Sequence, residues 1–146
     1  MHDEDDIRLL FAARGVRWTR QRGAVYAALT TSRSHPTAEE LLGQIRDDEE
    51  PLSLATVYNT LDTLSEAGLC RRIAVSTAGS TAARFCSEHA PHVHVTTPDG
   101  KVMDVPMDLS RQLIAAIPSE VLREVERTLG LRISGVQIQL TGQMTR

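Results

Sequence analysis

The chain has 146 residues and a mass of 16.1 kDa, with 41% apolar and 24% charged residues, the balance of an ordinary globular protein of one or two small domains. No apolar run approaches the ~20 residues of a membrane-spanning helix, which excludes such a segment. The net charge of −3 excludes a uniformly basic nucleic-acid binder, yet Arg14, Arg17, Arg20 and Arg22 fall within nine residues free of acid, between acidic stretches at Asp3–Asp6 and Asp47–Glu50.

The acidic start Met1–Asp6 lacks the basic-then-apolar pattern of a signal peptide, so a cytoplasmic location is expected. Cys70 and Cys86 then read as free thiols or metal ligands rather than a structural disulfide. Only Lys101 is lysine among the 16 basic residues; this bias fits either a GC-rich genome or planar phosphate-binding forks.

Ile7, Leu10 and Phe11 share one helical face, and Gly15 is a stop. Thr19 caps a second helix carrying Val25 and Leu29 inward. Thr37 and Glu40 have capping-box spacing, and Leu41, Leu42 and Ile45 follow at helical intervals. After a loop at Asp47–Pro51, Ser53 caps a fourth helix whose Leu54, Val57, Leu61 and Leu64 form one stripe ending at Gly68. Ile73–Val75 and Ala82–Phe85 flank a Ser/Thr/Gly-rich tip, the composition of a hairpin. His92–Thr97 and Lys101–Val105 are expected to pair about the turn Pro98-Asp99-Gly100, helices to cover Asp108–Ile117 and Ser119–Leu129, and Ile133–Leu140 to be a last strand. The fold class expected is α+β: a winged helix-turn-helix domain over 1–85 and a small α/β domain over 86–146.

The pair of helices at 37–46 and 53–67 followed by a hairpin fits a DNA-reading head. Opposite its leucine stripe, the second helix carries Thr56, Tyr58, Asn59, Asp62 and Thr63; Asn59 has the chemistry to pair with adenine, and Ser53 with the first-turn amides to hold a phosphate. Arg17, Arg20 and Arg22 can clamp the backbone or enter a minor groove. An amphipathic helix with an ordinary solvated face fits the same periodicity. Trp18 reads as core rather than as a stacking platform.

Of five histidines, His89, His92 and His94 lie within six residues; His2 reads as an exposed side chain. On a strand, His92 and His94 point to one face, two cis ligands for one ion, and Asp104 on the returning strand reaches the same side. Cys86 can add a thiolate, and His35 lies far away in sequence at the start of the third helix. No His-Glu-x-x-His or other hydrolytic motif is present, which counts against a small metalloenzyme using these ligands. A metal-independent winged-helix protein with incidental histidines is the other alternative.

The segments Arg17–Arg22, His35-Pro36-Thr37-Ala38-Glu39-Glu40-Leu41, Leu52–Leu61, Ala67-Gly68-Leu69, Ala83-Arg84-Phe85, the His92/His94 pair and Gly100–Asp104 together resemble the ferric uptake regulator (Fur) family over roughly residues 7–141. The resemblance implies a homodimeric, metal-responsive transcription regulator, not an enzyme, that binds operator DNA through an N-terminal winged helix and dimerises through a C-terminal α/β domain. It places one regulatory divalent metal per subunit (Fe, Mn or Zn) on His35, Cys86, His92, His94 and Asp104, the recognition tyrosine at Tyr58 and a minor-groove basic residue at Arg17.

Three positions depart from the family pattern. No cysteine follows Cys86, so no structural zinc is expected, as in the Irr and some PerR-like branches. Cys86 stands where iron and peroxide sensors have Asp or Glu and is similar to zinc-sensing Zur members. Asn59 replaces the arginine common after the recognition tyrosine, so an operator sequence does not carry over. The reading that follows is a repressor-type regulator responsive to iron or manganese, with the sensing of peroxide or haem left open, a zinc-responsive regulator being the alternative.

Overall fold

In the computed structural model, residues 3–32, 35–45, 51–77, 80–87 and 92–145 are described. The chain forms two compact units, Met1–His89 and Ala90–Arg146, so Cys86 belongs to the first. His2, the loop Asp47–Glu50, the hairpin tip at 78–79 and His89 lie outside the described residues.

The first unit contains α1 (Glu4–Ala13), α2 (Arg20–Thr31), α3 (Ala38–Gln44), α4 (Leu54–Glu66), β1 (Arg71–Thr77) and β2 (Ser80–Cys86). Each helix starts where a short polar side chain accepts an otherwise unpaired first-turn amide. Asp3 accepts from Asp5 N–H, Thr19 from Arg22, Thr37 from Glu40 and Ser53 from Thr56, each at 3.1 Å. Gly68 leaves α4 with a φ of 74°, the left-handed conformation that a glycine adopts without steric cost.

Behind the caps, the apolar stripes close one core of Phe11, Val25, Tyr26, Leu29, Leu41, Val57, Leu61, Leu64, Leu69 and Phe85. Phe11 lies at its centre, edge-on to Tyr26 at 5.6 Å and tilted against Trp18 at 5.7 Å. Strands β1 and β2 pair antiparallel from Arg71↔Cys86 to Thr77↔Ser80. Helices followed by this hairpin make a winged helix-turn-helix.

The second unit holds β3 (His94–Thr96), β4 (Val102–Asp104), α5 (Met107–Ala115), α6 (Ser119–Leu129) and β5 (Gln139–Thr141), with sheet order β4-β3-β5. β3 pairs antiparallel with β4 and parallel with β5. The strands are shorter than their alternation predicts. The Val93 amide donates to Ser110 Oγ rather than to a strand, so the ladder begins at His94 and His92 lies outside it. Ile133–Leu140 reduces to Gln139–Thr141, because β3 offers three residues to pair with and the Ile133 amide donates to the Glu126 carboxylate at 2.8 Å. α6 has no buried residue, and Val121, Val125 and Leu129 are exposed.

Candidate metal centre and nucleic-acid interface

Among the described residues, His35 and Cys86 of the first unit and His92 and His94 of the second are buried and carry atoms able to ligate a metal. In the second unit the β3–β4 register sets His94 opposite Asp104. His92 Nε2 lies 3.4 Å and His94 Nε2 3.3 Å from the same Asp104 Oδ1, and the two rings are 4.2 Å apart edge-to-face. Val93, between them, is fixed by its amide on Ser110 Oγ at 3.1 Å, its carbonyl accepting from Val105 N–H at 2.9 Å. Two imidazole nitrogens converging on one carboxylate oxygen form a donor set that a divalent cation matches: neutral nitrogen ligands and one charge-compensating oxygen. Asp104 is partly exposed, so the pocket opens to solvent on the carboxylate side.

In the first unit, His35 lies just before α3 with a positive φ of 51°. Its carbonyl accepts from Arg84 Nη1 at 3.0 Å, and the next carbonyl, of Pro36, accepts from the Phe85 amide at 3.0 Å. Strand β2 therefore grips the His35-Pro36 backbone immediately before it ends at Cys86, and two residues distant in sequence come to one end of the unit. Burial pushes the other thiol, Cys70, up to about 11, so at neutral pH it is protonated and a poor metal ligand.

On the winged helix-turn-helix, Tyr58 and Asn59 are exposed on α4 and Thr56 is half-buried. Ser53 and Thr56 hydroxyls bond each other at 2.9 Å, and Tyr58 Oη donates to Glu39 Oε1 on α3 at 3.1 Å. The Tyr58 phenol is held above its usual range, by desolvation first and then by the Glu39 hydrogen bond and charge, with Arg72 opposing. Arg17 and Arg20 are exposed; Arg22 is half-buried and donates to the Arg17 carbonyl at 3.0 Å, which ties the cluster to the start of α2. Trp18 packs on Phe11, with the Arg8 guanidinium 4.4 Å from its ring centroid. Glu39, Arg84 and Ser110 carry roles that the sequence did not reveal. Arg84 stands inside a family-like motif, but its partner, the carbonyl 49 positions away, has no sequence signature.

Comparison with known proteins agrees with this architecture. The profile of the "Ferric uptake regulator family" matches residues 13–132. The "Peroxide-responsive repressor PerR" of Staphylococcus aureus (strain USA300) is 34% identical over 91 residues, 62% of this chain and 60% of its own length. The aligned stretch thus covers less than two thirds of that relative. Among solved structures, the ferric uptake regulator from Pseudomonas aeruginosa with manganese superposes with a TM-score of 0.67 at 21% identity, over 95% of this chain and 98% of its own. A zinc uptake regulator complexed with zinc and DNA gives 0.62 at 18% identity, over 97% of this chain and 89% of its own. At these identities the structures share the fold. With the family profile spanning most of its length, the chain belongs to the ferric uptake regulator family.

Proposed function

We propose that the protein is a metal-responsive, DNA-binding transcription regulator, acting as a homodimer and not as an enzyme. The observation that carries this reading is the convergence of His92 and His94 on Asp104, with a second pair of buried ligand residues, His35 and Cys86, in the unit that holds the winged helix. Cys86 and His92 are six positions apart, so the connecting chain permits both pairs to serve one ion. His35, Cys86, His92, His94 and Asp104 would hold a divalent cation that supplies a positive charge shared by the two units. DNA affinity then depends on occupancy, because each unit contributes ligands that the other lacks.

Arg17, Arg20, Arg22, Ser53, Thr56, Tyr58 and Asn59 would face operator DNA, the arginines on phosphates or a minor groove and Tyr58 and Asn59 on base edges. The second copy would cover the exposed Leu109, Leu113, Val121, Val125 and Leu129 of α5 and α6, which have no counterpart to bury them within the unit. The metal in this reading is iron or manganese, with a peroxide response as in the name of the S. aureus relative. The buried Cys86 thiol favours a second reading, zinc, since thiolate suits that ion.

The test is retention of a random DNA pool by purified protein titrated with Fe(II), Mn(II) or Zn(II). Retention should rise with one of these metals in the wild type and stay flat in a His92→Ala/His94→Ala double variant. A variant that still responds overturns the site. Loss of retention when peroxide is added to the Fe(II) form selects the first metal reading. Retention by Zn(II) alone, indifferent to peroxide, selects the second.

A further inference from the structure

His35 is held in an unfavourable backbone conformation by groups that the proposed function does not use. A φ of 51° at a non-glycine residue is in the left-handed region, and such a residue persists only where its surroundings fix it. Two bonds from β2 do so. Arg84 Nη1 donates to the His35 carbonyl and the Phe85 amide to the Pro36 carbonyl, both at 3.0 Å. Arg84 is also 3.5 Å from Glu40 Oε1, in the first turn of α3, and its side chain is largely buried. Side chains two apart on a strand share a face, so Arg84 lies on the same face of β2 as Cys86.

We propose that Arg84 is a positioning residue for metal binding: its guanidinium fixes the His35 backbone relative to Cys86 and, through Glu40, ties both to the first turn of the helix that precedes the recognition helix. The inference rests on the reading of His35 as a ligand. Both contacts are made by one nitrogen, Nη1, whose two N–H groups are held in the guanidinium plane and so serve a carbonyl and a carboxylate in fixed directions, where the rotating ammonium of lysine has no such fixed geometry. Without Arg84, the backbone of His35 is free to relax out of the left-handed region, and the first unit's half of the donor set loses its preorganisation.

The experiment loads full-length protein with Co(II), reads its visible absorption and measures affinity by chelator competition, for wild type, His35→Ala, Arg84→Ala and Arg84→Lys. Arg84→Ala is expected to weaken binding by about 10- to 100-fold, the range seen when an outer partner of a ligand is removed, and to shift the spectrum toward that of His35→Ala. Arg84→Lys should fall between Arg84→Ala and wild type on both readouts. An altered His35→Ala beside an Arg84→Ala of wild-type affinity and spectrum overturns this inference and leaves the ligand reading standing. A His35→Ala with the wild-type spectrum overturns both. Should Arg84→Ala not fold by circular dichroism, Arg84→Lys decides: wild-type affinity and spectrum there overturn the proposal.

Discussion

Ser110 shows how much one side chain contributes to the histidine pair. It is fully buried on α5, accepts from the Val93 amide and donates to the Val105 carbonyl, both at 3.1 Å. Ser110→Ala strands two backbone groups, and a loss of about 1–3 kcal/mol is expected in urea unfolding of the second unit. Tyr58 makes a separate prediction at alkaline pH. Its folded phenol is raised by desolvation and by Glu39, and that of Tyr26 by burial first and then by the Cys70 charge. Both hold their proton to higher pH folded than unfolded, so stability is intact below the ordinary tyrosine value of 10.0 and falls as pH rises past it. In an ultraviolet tyrosinate titration, Glu39→Gln should move one of the two transitions downward and leave the other in place; two unmoved transitions would refute the Tyr58–Glu39 contact.

At the scale of elements, the helix starts were legible because a cap is local chemistry. Thr19, Thr37 and Ser53 each accept the amide three residues on, as their spacing predicts. Replacing Thr37 or Ser53 with Ala should cost about 1 kcal/mol each in thermal or urea unfolding. The strands of the second unit were less legible, since period-two alternation says that a segment suits a sheet and not whether a neighbour exists to pair with it. Residues 133–138 alternate, yet the Ile133 amide is taken by Glu126. Gly23 shows tertiary packing reversing a local preference. Alanine is the better helix former by about 1 kcal/mol, but a Cβ at Gly23 would stand 2.2 Å from the Trp18 ring. Trp18 is itself packed on Phe11 and beneath Arg8. Gly23→Ala should therefore lower the melting temperature, with a cost of about 1–3 kcal/mol; a rise would mean that the ring moves freely.

For the whole molecule, the proposed pairing of two copies and the proposed metal loading would be coupled to stability by mass action. A charge on α6, Val125→Glu, should shift sedimentation from dimer toward monomer while the first unit keeps its helical signal. A cation held by imidazole, thiolate and carboxylate must compete with protons, so the thermal stabilisation given by added metal should shrink as pH falls. Metal stabilisation that is independent of pH would argue against these ligands.

The sequence by itself determined the winged-helix order, the caps and the apolar stripes, because each follows from short spacings and from the helical and strand periodicities; it also set His94 opposite Asp104, whereas the place of His92 beside them, outside the strand, does not follow from period-two alternation. Only the tertiary structure decided that β2 clasps His35 through Arg84, that Tyr58 bonds Glu39, that Ser110 anchors Val93, and that the last strand is three residues long. Those contacts join residues 17 to 49 positions apart or depend on which neighbour is present, and no periodicity along the chain encodes either.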